Sequence, residues 1–398
     1  MNAKAFMLLL ALAALAAVGA YFLALQPASP RGQNAAAGGA ATDARLAPTL
    51  AERAEDIATI TISTSSAADD TDPVVLTRDG DQWQLTSKAN FPAEPDRVRQ
   101  LITTLAELRT VEPKTAKPDL HDRLAVQWPD DAERDPDDFS PRPTLVEISD
   151  ADGEPITEIV LGETTYAGGG PRQYARLLND NQSWLVSASV TIPRGPLGFV
   201  NTRFVELPRD SVQSVTITHA DGETLQLTRD DPEADFTVAN LPEGATMKNQ
   251  ALANNTGNAL AFVNFTNVAE VDVDLDEYMH KAAGVEVPVE PSKLLDEGGF
   301  LAFAYFTTFD QQEYAFFIDA NDDDTGTGSG WVTTSASGEG TEAFSEKFGH
   351  RRVKLNAGTI ESLTRKPSEL IETPATGAND DTDPTTDNTP GLPPPTDG

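Results

Sequence analysis

Apolar side chains alternate with polar ones at Ile60 and Ile62, and again from Val75 through Thr77, with Asp79 and Gly80 at a turn before Trp83 and Leu85. This period of two, broken by a tight turn, predicts half-buried antiparallel strands. A different period follows. Val98, Leu101, Ile102, Leu105 and Leu108 fall at three- and four-residue spacing, after Pro95 at a first-turn position and Asp96 at the positive end of the dipole. That spacing predicts a helix with one apolar face against a sheet. Further alternating runs follow in PTLVEISDADGEPITEIVLGE, with Asp152 and Gly153 as a turn, and in YARLLNDNQSWLVS.

The same order then recurs. IATITI at 57–62 matches VQSVTI at 212–217, and LTRD stands at 76–79 and again at 227–230, an offset of 151 residues. The helix has a counterpart over about Ala245 to Val263, where Asn254, Asn255 and Gly257 predict a weaker or kinked element. GFLAFAYFTTFDQQEYAFFIDA and SGWVTTSASGEGTEAF then correspond to the later strand pairs of the first half. The expected fold class is α+β, as two tandem similar units of antiparallel sheet with a packed helix, over residues 50–205 and 206–365.

The ends read differently. Ala5 to Leu25 is an uncharged apolar run of 21 residues, long enough as a helix to cross a hydrocarbon core of about 30 Å. Lys4 precedes it, so residues 1–4 are expected in the cytoplasm and the bulk of the chain in the periplasm. A cleaved signal peptide ending near Val18, Gly19 and Ala20 is the alternative. Residues 26–49, rich in Ala, Gly and Pro, read as a flexible linker, and residues 366–398 as a disordered acidic tail.

Charge changes the picture next. With 63 acidic against 29 basic residues the net charge is -34, which disfavours bare nucleic acid and generic anionic surfaces as partners. A surface kept hydrated in salty surroundings and an ordinary solvated acidic face both fit. There is no cysteine, so neither disulfides nor thiol chemistry can operate.

The anchor, the ERAEDIATITI start, the VVLTRDGDQWQLT hairpin, the FPAEPDRVRQLITTLAELRTVEP helix, LGETTYAGGGPRQYARLLNDNQSWLV and NTRFVELPRDSVQSVTI together resemble the bacterial domain-of-unknown-function family 4340, over about Leu50 to Leu363. Members of that family are often encoded beside a gliding-motility-type or other ABC export system. The resemblance therefore implies an extracytoplasmic accessory with protein partners in the inner membrane. It carries over no catalytic residue.

A search for chemistry singles out no catalytic, cofactor-binding or metal-ligating residue. His121, His219, His280 and His350 show no paired-ligand spacing. Asp319, Asn321 and Asp323 begin like a calcium loop, but Asp324 stands where glycine is required and Gly330 where the bidentate glutamate belongs. Asp272, Asp274 and Asp276 alternate with Val271, Val273 and Leu275, as on the solvent face of a strand. Gly168, Gly169 and Gly170 lack the phosphate-loop pattern and read as a hairpin loop. Phe300, Phe303, Tyr305, Phe306, Phe309, Tyr314, Phe316 and Phe317 crowd one hairpin, so one of its faces is expected either between the units or against a partner. The expectation is a non-catalytic accessory or scaffolding module of an envelope transport complex, without cofactor. A binding module for an envelope polymer is the alternative, and a carboxylate-dependent hydrolase is a third.

Overall fold

The structure, a computed structural model, describes residues 42–64, 72–129, 140–166, 169–193, 195–239, 241–271, 300–319 and 328–372. The chain divides into compact units Met1–Ala44 and Arg45–Gly398, and the elements below belong to the second. They are mostly antiparallel sheet with a few helices. The expected anchor and the tail beyond residue 372 lie outside the described residues, among which no helix is long and apolar enough to cross a membrane.

Nine strands come from the first half: β1 (Thr59–Thr64), β2 (Val74–Asp79), β3 (Gln82–Leu85), β4 (Phe91–Pro92), β5 (Thr110–Pro113), β6 (Thr144–Ser149), β7 (Pro155–Thr165), β8 (Arg172–Leu177) and β9 (Trp184–Val186). They form one sheet in the order β4-β3-β2-β1-β6-β7-β8-β9-β5. The second half gives β10 (Arg203–Val205), β11 (Val212–His219), β12 (Thr224–Thr228), β13 (Thr237–Val238), β14 (Thr246–Met247), β15 (Val263–Glu270), β16 (Phe300–Thr308), β17 (Glu313–Asp319), β18 (Gly330–Ser337), β19 (Arg351–Leu355) and β20 (Ile371–Glu372). The second sheet runs β10-β15-β19-β18-β17-β16-β11-β12-β13, and β14 pairs with β20.

Apart from β4 and β10, the two orders are the same, and so are the registers. Ile60 sits opposite Leu76 and Ile148, while Val215 sits opposite Leu227 and Phe306. One irregularity coincides as well. The ladder shifts between Thr110 and Glu112 opposite β9, and between Phe265 and Asn267 opposite β19.

Helix α1 (Pro48–Glu52) and helix α2 (Pro95–Glu107) cover one face of the first sheet. Pro95 starts α2 with a preset φ, and Val98, Leu101 and Leu105 point into the core with Ile60, Leu76, Val146 and Ile159. The other face is crossed by residues 121–128, whose Val126 packs on Leu145 and Val160 beside Trp128 and Tyr174. That crossing is close. A Cβ on Gly162 would lie 2.2 Å from the Leu124 carbonyl oxygen, so only glycine fits there.

The second sheet is covered by shorter pieces: α3 (Gln250–Gly257), α4 (Glu342–Phe348), α5 (Ala357–Leu363) and α6 (Pro367–Leu370). Helix α3 is shorter than its expected Ala245–Val263. Asn249 caps it by accepting from the Leu252 amide, and its glycine lies under the Phe236 ring. The TEAF sequence is helical, not strand. Gly338 and Gly340 take positive φ and end β18, and Phe344 and Phe348, four apart, turn into the core. Lys366–Glu372, assigned by composition to the tail, folds instead as α6 and β20, with Glu369 accepting from the Lys366 amide at 2.9 Å and Lys366 paired to Asp221 at 2.5 Å. At the other end Leu46 and Ala47, assigned to the linker, are buried, and the Leu46 amide donates to the Leu108 carbonyl.

Sheet edges are short. β4 and β13 have two residues each, β10 three, and β5 ends in Pro113 with Arg45 bridging beside it at Arg109.

Candidate functional site

Among the described residues, a joint, a cleft and a groove each combine side chains from distant parts of the chain. The first is the joint between the sheets. Phe91, on edge strand β4, lies 5.2 Å from Phe265 and 5.7 Å from Phe348, centroid to centroid. Lys347 and Arg351 flank the same ring. Arg351 donates to the carbonyls of Ala89 at 2.9 Å and Asn90 at 3.0 Å, and also to Lys347 at 2.7 Å. Ala89 and Asn90 both hold positive φ, which turns their carbonyls toward this guanidinium. Burial pushes both basic groups below their ordinary values; Glu94 opposes the shift at Lys347 and Glu270 opposes it at Arg351. The charge-assisted bonds keep this joint specific where rings alone would slide.

The second place is an open cleft of about 540 Å³ at the turn end of the first sheet, lined by Arg53, Asp56, Arg78, Asp150 and Asp152 among others. Arg53 bridges Asp56 at 2.9 Å and Asp150 at 2.7 Å. Asp150 also accepts the amides of Asp152 and Glu154, so its carboxyl is held below the usual range, chiefly by Arg53. Arg78 donates to the Gly80 and Glu55 carbonyls. Arg53, Asp56, Arg78 and Asp150 are thus all paired within the protein.

The third place is a groove of about 370 Å³ between α2 and residues 189–193, lined by Arg97, Gln100, Leu101, Thr104, Ser189, Thr191 and Pro193. Arg97 pairs with Glu94 and donates to the Gly198 carbonyl at 2.6 Å. Thr104 donates to the Gln100 carbonyl at 2.7 Å, and Ser189 shares a hydrogen bond with Thr164 at 2.9 Å.

The residues weighed from the sequence do not converge. His121 is buried with Nε2 2.9 Å from the Asn181 carbonyl, and His219 is buried with Nε2 3.3 Å from the Arg365 carbonyl. His350 is exposed, and His280 lies outside the described residues. So do Asp272, Asp274, Asp276, Asn321, Asp323 and Asp324. Gly169 and Gly170 sit in the long β7–β8 hairpin loop, Gly169 with φ 98. Among the described residues no group of three or more His, Asp or Glu is placed to hold a metal. The aromatic hairpin splits between faces. Phe306, Tyr314 and Phe316 turn to the core with Phe204 and Phe344, while Phe303 faces Phe317 on the opposite side.

Sequence reasoning missed the joint and the groove. Positions 97, 100 and 104 do share a stripe of α2 by helical spacing, but nothing local marks residues 189–193 as their neighbours.

The family described as domain of unknown function (DUF4340) matches residues 83–282, half of the chain. The chain belongs to DUF4340. The matched span runs from β3 past β15, shorter than the Leu50–Leu363 resemblance, and it crosses from one sheet into the other. The DUF4340 match therefore takes in Phe91, Phe265 and the whole chain between them, which includes the groove. No curated protein and no solved structure matches the chain.

Proposed function

We propose that this DUF4340 protein is an extracytoplasmic accessory or scaffolding module of an ABC-type envelope transport complex, with its bulk in the periplasm. In this reading Ala5–Leu25 is a retained single-pass anchor, and two duplicated α+β units follow it on a tether. The observation that carries the reading is the joint. Two sheets of one order and register are fixed to each other by Phe91 and Arg351, which suits a body that must hold a defined shape against a partner. Its role is non-catalytic, and its partners are proteins of the inner membrane. The acidic surface steers it away from anionic headgroups and toward basic protein faces.

Crosslinking in native membranes followed by mass spectrometry tests this. Recovery of a permease and an ATPase as the dominant crosslinked species is the expected result. A mature chain that is freed by carbonate washing and lacks its first twenty or so residues would overturn the anchored reading.

A further inference from the structure

We propose that the groove between α2 and residues 189–193 binds a saccharide unit. The first support is a difference between the halves. In the second half, the segment after β19 forms α5 at once, and α5 packs against α3 with Ile360 and Leu363 buried. In the first half, the segment after β9 forms no helix; it buries Val190 in the core and leaves a groove of about 370 Å³ between itself and α2. The halves therefore differ beside this helix, and the groove is roomy enough to hold a small ligand.

Lining chemistry narrows the class. The chain carries 63 acidic residues, yet none stands among the described residues that line this groove. Basic peptides and cations find no carboxylate among them to pair with. Strongly anionic ligands fare little better, since Arg97, the one cation among the described lining residues, is engaged by Glu94 and the Gly198 carbonyl and sits in a chain of net charge -34.

What remains is a neutral, polar ligand. Thr191 offers a hydroxyl that both donates and accepts, the Thr104 and Ser189 hydroxyls keep lone pairs beyond their bonds to Gln100 and Thr164, Gln100 offers an amide, and Leu101 with Pro193 gives a small apolar floor. Alternating hydroxyls over a C–H face are what a pyranose ring presents, and the volume admits one or two rings. The proposal goes beyond the transport reading and does not depend on it, because it concerns only this groove.

Saturation-transfer NMR on the full chain in lipid nanodiscs tests it, with N-acetylglucosamine, cellobiose and maltose as probes and inorganic phosphate as a counter-probe. Transfer to at least one sugar is expected, with a Kd on the order of 1 mM. Gln100→Leu combined with Thr191→Val, both exposed positions, should weaken it about tenfold at an unchanged melting temperature. Gln100→Trp should abolish it by filling the groove. The proposal is overturned if no sugar gives transfer, if phosphate displaces the sugar, or if the folded variants bind as the parent does. Membrane crosslinking reads out none of these, so failure here and failure of the transport reading are told apart.

Discussion

Helices α2 and α3 occupy the same station in the two halves, but they divide the labour of filling a core in opposite ways. Helix α2 brings the bulk itself, with Val98, Leu101 and Leu105, onto strands that offer Ile60, Val146 and Ile159. Helix α3 buries only Ala253, Thr256 and Gly257. There the strands and loops carry the volume, with Phe306, Phe316 and Phe236. The registers equate Val146 with Ala304 and Ile159 with Phe316, so bulk has moved between neighbouring strands while the ladder stayed the same. Backbone order survives such exchange because interiors require a total volume and a pattern more than any single side chain.

That contrast can be broken most forcefully at the joint. Phe91→Ala should cost about 3–5 kcal/mol in urea unfolding, because the ring belongs to one sheet and packs on the other. A loss below about 1 kcal/mol would mean that the halves do not lean on one another. Next, the two helices should respond with opposite physics. Leu105→Ala empties space in α2 and should cost about 3 kcal/mol. Gly257→Ala adds a single carbon in α3, yet its Cβ would lie 2.3 Å from the Phe236 ring, so about 1–3 kcal/mol should be lost to overpacking. Equal tolerance of alanine at both helices would erase the distinction.

The smallest effect sharpens the comparison on the outer faces, where Glu147 and Glu158 face each other while Tyr305 and Ala315 stand in their places. Burial first, and Glu158 second, raise Glu147 above its ordinary 4.5. A carboxyl raised on folding adds stability that is present at low pH and is lost as pH climbs from its unfolded value through its folded one. Glu147→Gln should therefore gain about 0.5 kcal/mol at neutral pH, after allowance for solvent screening, and flatten the melting temperature above pH ~5. An unchanged pH profile would remove Glu147 from the account.

Much of the strand layout was legible because alternation and the LTRD offset are local properties of the chain. Helix α2 was equally plain from Pro95 and the Leu spacing. Helix α4 was not, since TEAF follows a strand without a strong cap, and only Gly338 and Gly340 mark the break. Residues 366–372 carry few apolar groups and read as tail; their order comes from Asp221, Glu223 and β14, all more than a hundred positions away. Arg351 reaching Ala89 is a contact of the same kind, and so is the meeting of α2 with residues 189–193. Long-range polar contacts leave no periodic trace.

The abbreviated margins of both sheets bear on how anything can be recruited to this body. Main-chain hydrogen bonding along a border needs several consecutive free amides and carbonyls, and β4, β10 and β13 are too brief to supply them, while Pro113 ends β5. These four strands give a visitor little ladder to extend. Side chains on faces, loops and grooves are the broader target, so a mutagenic survey for partners belongs there first.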